Sequence, residues 1–185
     1  DYLKMIKEFS KSGLKLTNAM LMLDKIESGN LMDEKESINP KVVFEHLCLQ
    51  YESLAQLKGI ELTCEFEETP SFTTNKMSLE RILDNIISNA FKFTDKGGEI
   101  TLRLMFRKPD RLIFEIADSG QGMDTETLEN IFKKRSSNDT NKGAFSFGLG
   151  LYIAKALADN LNANIEVQST KGKGSTFRLL FNLKA

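Results

Sequence analysis

Little in this chain points to a function by composition alone. Its 25 basic and 26 acidic residues leave a net charge of -1, so no broad field draws it toward nucleic acid or anionic lipid, and any anion must be held locally. No apolar run approaches the roughly 20 residues of a membrane span, and the first residues lack the layout of a signal peptide. A soluble, cytoplasmic chain with no membrane contact of its own is expected, although a longer parent protein could be membrane-anchored. Cysteine is scarce: Cys48 and Cys64 stand in apolar surroundings without CxxC spacing. A disulfide framework or a zinc site gains no support, and buried reduced thiols are expected. The one histidine, His46 within Phe44-Glu45-His46-Leu47, is read as structural or surface.

What is present is ordinary for a globular protein. With 41% hydrophobic and 28% charged residues over 185 positions, one well-cored domain and an appendage are expected. Residues 1 to about 29 place Tyr2, Ile6, Phe9, Leu16, Met20 and Leu23 at the alternating spacing of a bundle helix, stopped by Ser28-Gly29-Asn30. An acidic segment from Asp33 to Asn39 leads through Pro40 into an amphipathic helix ending near Gly59. Ile60 to Phe66 reads as a strand, Glu67 to Thr73 as a loop, and a helix runs from the N-cap Asn75 to about Phe93. Ile100 to Arg107 alternates as a strand, with Leu112 to Ala117 as its hairpin partner. Asp124 can cap a short helix through Phe132, and Lys133 to Ser146 reads as a loop. A helix from Gly148 to Asn160 precedes a terminal hairpin of Ile165–Ser169 and Thr176–Leu183. Helices and strands in runs, without strict alternation, predict an α+β two-layer sandwich: one mixed, mostly antiparallel sheet covered by helices, with the bundle helix appended.

Three stretches carry candidate chemistry. Asp118-Ser119-Gly120-Gln121-Gly122-Met123 sets a carboxylate at a strand end before a glycine turn, which suits a flat hydrogen-bonding ring but equally any tight turn. On the helix before it, Asn85, Asn89 and Lys92 share one side at i, i+4 and i+7. An asparagine carbonyl is a hard oxygen ligand suited to Mg2+, and a lysine one turn away can balance phosphate charge; a solvated helix face would look the same. Gly148-Leu149-Gly150 opens a helix whose free N–H groups suit phosphate. It follows a loop, so it is no Rossmann fingerprint, and Gly172 to Thr176 is no Walker A loop.

Taken in order, Asn85-x-x-x-Asn89-x-x-Lys92-Phe93, Asp118-x-Gly-x-Gly, Phe132 and Gly148-x-Gly resemble the catalytic and ATP-binding domain of sensor histidine kinases, within the Bergerat-fold (GHKL) superfamily. Residues 1 to 30, ending Leu23-Asp24-Lys25-Ile26-Glu27-Ser28-Gly29-Asn30, look like the second helix of a dimerisation and histidine-phosphotransfer hairpin, and 36–185 like the catalytic domain. The resemblance implies that Asp118 accepts from the adenine amino group, Phe93 lies against the ring, and Asn89 ligates Mg2+. It further implies that Asn85 and Lys92 assist at the metal and phosphates and that Gly120 and Gly122 admit the base beside Met123 and Phe132. Thr176 would reach a water beside Asp118, and Gly148, Leu149, Gly150 and Leu151 would cap the triphosphate.

The implied reaction is transfer of the γ-phosphate of Mg-ATP to a histidine outside these residues, with a response regulator receiver domain downstream and a homodimer in the full-length protein. In hydrolysing members of the superfamily, the position one turn before the metal-binding asparagine is typically a glutamate; here Asn85 is an amide and cannot act as a general base. Two departures mark the lid: Ser146-Phe147-Gly148 replaces the first glycine of the last box, and Lys133-Lys134-Arg135 displaces a second aromatic. Arg135 or Lys142 could contact the γ-phosphate, or each could belong to a solvated basic loop. A hydrolysis-driven ATPase and a degenerate nucleotide-sensing or dimerisation module are the alternatives.

Overall fold

The computed structural model describes residues 34–133 and 149–183, together with 2, 6, 10, 13, 14, 17, 20–22, 24 and 28. Of the last group all but residue 28 are helical, and Tyr2, Ile6, Leu14, Met20 and Leu21 are exposed.

A five-stranded sheet in the order β2-β4-β5-β7-β6 is the frame, with β2 (Glu61–Phe66), β4 (Glu99–Arg107), β5 (Arg111–Asp118), β6 (Asn164–Thr170) and β7 (Gly174–Asn182). Only β2 and β4 run parallel; the remaining pairs are antiparallel. Helices α1 (Pro40–Lys58), α2 (Lys76–Phe93) and α4 (Leu149–Asn160) pack around the sheet's apolar face, and the short α3 (Thr125–Asn130) follows the turn after β5. This is the predicted sandwich.

Local chemistry explains where the helices begin and end. Asn39 Oδ1 accepts the Lys41 N–H at 2.9 Å, Pro40 opens α1, and Gly59 closes it in the left-handed region at φ 65°. Asn75 Oδ1 caps α2 by accepting the Ser78 N–H at 2.8 Å. Along α2, Leu79, Ile82, Leu83, Ile86, Ile87, Ala90 and Phe91 are buried, as helical periodicity requires of a core-facing side. Each large side chain so buried stabilises the fold by about 1.5–3 kcal/mol. They meet Ile100, Leu102 and Leu104 of β4 and Leu112, Phe114 and Ile116 of β5, all fully buried. Phe114 stands edge-on to Phe44 of α1 at 5.3 Å and to Phe181 of β7 at 6.2 Å.

The opposite face of the sheet carries a cluster of ions. Glu115 is buried between two arginines, accepting from Arg103 Nη1 at 3.1 Å and Arg178 Nε at 2.7 Å, while Arg103 Nε also reaches Glu65 at 2.8 Å. Each of these pairs is a direct cross-strand neighbour, so the register itself aligns opposite charges.

Two expectations are corrected. The segment from Asp33 to Asn39 and the loop from Glu67 to Thr73 contribute strands β1 (Glu36–Ile38) and β3 (Phe72–Thr74), which pair antiparallel as Glu36↔Thr74 and Ile38↔Phe72. Three residues are too few for a period-2 pattern, and burial of Ile38 and Thr74 holds the pair in place. Cys48 and Cys64, expected as reduced thiols, are joined in a disulfide, with 6.8 Å between Cα atoms. The chain reverses at Gly59 and lays β2 against α1, bringing together two sulfurs that are 16 residues apart. The remaining differences are small: α3 ends at Asn130 instead of Phe132, and α4 is described from Leu149.

Phe114→Ala should remove about 3–5 kcal/mol of stability. Urea unfolding checks this, and a loss below about 1 kcal/mol would place Phe114 outside the cooperative core.

Candidate functional site

Asp118 is the last residue of β5, where β4 and β7 flank it with Ile100 and Ser175 as register partners. Its Oδ1 accepts the Gly120 N–H at 2.9 Å, and its carboxylate also accepts the Ser175 backbone N–H. Burial pushes the Asp118 carboxyl above the ordinary aspartate range, and these two backbone bonds pull the other way without cancelling it. The result is a half-desolvated acceptor at the mouth of a turn.

The turn is wedged between two elements. A Cβ on Gly120 would stand 2.3 Å from the Phe93 carbonyl oxygen, which closes α2 and also accepts the Gln121 N–H at 3.2 Å. A Cβ on Gly122, at φ +60°, would stand 2.0 Å from the Thr170 carbonyl. This differs from the expectation that these glycines act by admitting a base: their side-chain directions are filled by the protein's own backbone, and they let the turn dock. The hairpin of β6 and β7 completes the clamp, with the Gly172 N–H donating to Gln121 O at 2.7 Å and Met123 N–H donating to Ser169 Oγ at 2.8 Å.

Beside Asp118 lies an open cavity of about 210 Å³, lined also by Ser169, Lys173, Ser175 and Thr176. Thr176 thus shares the cavity with Asp118, but it pairs with Ala117; the residue directly across from Asp118 is Ser175, which sequence reasoning missed. Only the register of the hairpin distinguishes the two neighbours, and no spacing in the sequence fixes it.

On α2, Asn85 and Asn89 are partly buried while Lys92 is exposed, with its Nζ 4.8 Å from the centroid of the Phe93 ring. Phe93 is 41% exposed, a large apolar ring left open beside the turn. Asn85 Nδ2 is buried and has no acceptor among the described residues, while a Cβ on Gly150 would stand 3.2 Å from Asn85 Oδ1. The first turn of α4 therefore packs directly over Asn85. Met123, Phe132, Leu149 and Leu151 are partly buried against the core. Gly148 lies outside the described residues, as do Ser146, Phe147, Arg135 and Lys142. His46 belongs elsewhere, lining a groove with Met22, Leu47, Met77 and Arg81.

A strand-end carboxylate thus lines an open cavity, and the turn after it docks against the end of the asparagine-bearing helix. Residues 74–185 match the family described as histidine kinase-, DNA gyrase B-, and HSP90-like ATPase, and the chain belongs to that family. It is 30% identical over 174 residues to sensor protein EvgS of Escherichia coli strain K12, covering 91% of this chain and 14% of EvgS. To heme sensor protein HssS of Staphylococcus saprophyticus it is 32% identical over 183 residues, covering 98% of this chain and 38% of HssS. The chain thus spans well under half of either relative. Among solved structures, full-length ShkA in complex with AMPPNP superposes at a TM-score of 0.84 with 24% identity, over 100% of this chain and 39% of that one.

Because burial raises the Asp118 carboxyl, its acceptor form is lost at a higher pH than an ordinary aspartate would lose it. ATP affinity should therefore fall in the acid range, beginning at a higher pH than an ordinary aspartate would give. Asp118→Asn should largely abolish binding at neutral pH, since the amide can turn a donor toward the base amino group. Calorimetry across the acid range checks this, and a wild-type affinity indifferent to pH would remove the carboxylate from the contact.

Proposed function

We propose that this chain is the ATP-binding catalytic core of a two-component sensor histidine kinase, positioning ATP so that a histidine on a separate helix attacks the γ-phosphorus. The observation that carries the reading is Asp118, a desolvated carboxylate at the docked glycine turn, in a chain whose family and curated relatives are of the histidine kinase type. Asp118 would accept from the exocyclic amino group of adenine, Phe93 would lie along the ring, and Thr176 would reach a water beside Asp118. Met123 and Phe132 would border the base, and Gly148, Leu149, Gly150 and Leu151 would cap the triphosphate. Binding of AMPPNP, an adenine nucleotide, by the structural neighbour ShkA supports this choice of ligand.

The phosphate end follows from α2. Asn85 Nδ2, which has no acceptor among the described residues, is a donor that a phosphate oxygen would satisfy, and Asn89 one turn on carries the hard amide oxygen that Mg2+ takes. Mg2+, when bound, would neutralise charge on the phosphate oxygens. Lys92 adds a positive charge on the same side. None of these groups can accept a proton from water at neutral pH, so the site supplies position and charge and leaves the nucleophile to bring its own base.

The parent protein is read as a cytoplasmic-facing sensor with two parts in this chain: residues 1–30 from the dimerisation and phosphotransfer hairpin, and 36–185 from the catalytic domain. Exposed Tyr2, Ile6, Leu14, Met20 and Leu21 support bundle formation with a second copy, as a homodimer. A response regulator receiver domain would take the phosphoryl group from the histidine.

Mixing the chain with a separate hairpin bearing the acceptor histidine and γ-labelled ATP should give an acid-labile label on the hairpin. Phosphate release in the hairpin's absence should stay near background. Steady release without the hairpin would favour a hydrolysing ATPase, and persistent failure to label despite ATP binding would mean a nucleotide-sensing module.

A further inference from the structure

Ser169 is bonded at a junction that the nucleotide reading does not use. Its hydroxyl lies 2.8 Å from the Met123 N–H, 2.9 Å from the Gly174 carbonyl oxygen and 3.0 Å from Ser175 Oγ. One proton assignment satisfies all three contacts at once. In it the Met123 N–H donates to Ser169 and the single Ser169 proton goes to the Gly174 carbonyl. One Ser169 lone pair holds Met123, and the remaining one can be filled only by the Ser175 proton. Ser175 has one proton, and this contact uses it.

Ser175 stands across from Asp118, and Asp118, Ser169 and Ser175 line the same cavity. With the Ser175 proton turned toward Ser169, Ser175 Oγ offers the cavity only lone pairs, and the ionised Asp118 likewise only accepts. We propose that Ser169 is a specificity-determining positioning residue: by holding the proton of Ser175, it leaves Asp118 and Ser175 both presenting acceptors to the base and so selects a purine bearing a 6-amino donor over one bearing a 6-oxo acceptor. The proposal rests on the reading of Asp118 as the base contact. Ser169 touches no base itself; it acts through Ser175, and through Met123 it holds the turn that carries Asp118.

The test compares affinities for ATP and for inosine triphosphate, which differ at position 6 of the purine. In Ser169→Ala the Ser175 hydroxyl is free to rotate and donate to a 6-oxo group, so the ATP-to-inosine-triphosphate ratio should fall about tenfold, with ATP affinity itself falling by a similar factor. Ser169→Thr, which keeps the hydroxyl, should restore the ratio. Equal weakening of both nucleotides by Ser169→Ala would show only a loosened turn and overturn the proposal. Should Ser169→Ala fail to fold, Ser175→Ala carries the test, because loss of the oriented acceptor must also lower the ratio and an unchanged ratio defeats it. Asp118→Asn separates the two levels. Unchanged ATP affinity in that variant defeats the base assignment, whereas lost ATP binding alongside an unaltered ratio in Ser169→Ala defeats only the role of Ser169.

Discussion

The site depends on backbone approaching backbone more closely than any side chain allows. Around Asp118 three carbonyls occupy the space where a glycine Cβ would stand: Phe93 against Gly120, Thr170 against Gly122, and Asp118 itself against Gly174, at 1.9 Å. Gly122 and Gly174 also sit at positive φ, so both space and dihedral exclude a side chain. Three separate elements, the end of α2, the end of β5 and the β6–β7 hairpin, are thereby brought to one point. Loosening any of these contacts would move the carboxylate relative to the helix that carries Asn85 and Asn89.

That closeness is also what makes Asp118 a useful acceptor. The packing that desolvates the carboxyl supplies, from the turn and from the neighbouring strand β7, the two backbone N–H groups that favour its ionised form. Elsewhere the sheet handles charge differently. Glu115 is buried more deeply, yet it has a guanidinium on each side and its charge is compensated in place. Asp118 has backbone dipoles and, among the described residues, no cation bonded to it, and it lines the cavity. The contrast separates a structural carboxylate from one able to take a ligand, using neighbours in the same strand.

Much of this was legible in the sequence where one residue's neighbours along the chain decide its state. The α2 core face, Pro40 and Gly59 at the ends of α1, the cap at Asn75, the β4–β5 hairpin and the stripe of Asn85, Asn89 and Lys92 all follow from residues close along the chain. What escaped depends on contacts made after folding. The β1–β3 pair is formed of two three-residue pieces held by burial, and the meeting of Cys48 with Cys64 needs the reversal at Gly59. Ser175 opposite Asp118 and the hydroxyl junction at Ser169 require the hairpin register, which lone glycines at 172 and 174 do not specify. The glycine turn itself was visible, but the reason for its glycines was not, because the carbonyls that fill their side-chain space come from residues 93 and 170.

Helix α2 ties stability to chemistry more tightly than the turn does. Ile82, Ile86 and Ile87 pin one side to the sheet, so the opposite side cannot rotate to suit a ligand; Asn85 and Asn89 are presented at an angle the core dictates. Gly150 then sets α4 over Asn85 so closely that the asparagine is packed as well as presented. On the proposed function, a carboxylate there could take a proton from water and favour hydrolysis, whereas the Asn85 amide cannot, and its buried Nδ2, without an acceptor among the described residues, offers a donor. On that reading the packing that holds α4 in place goes with a chemistry of positioning and transfer.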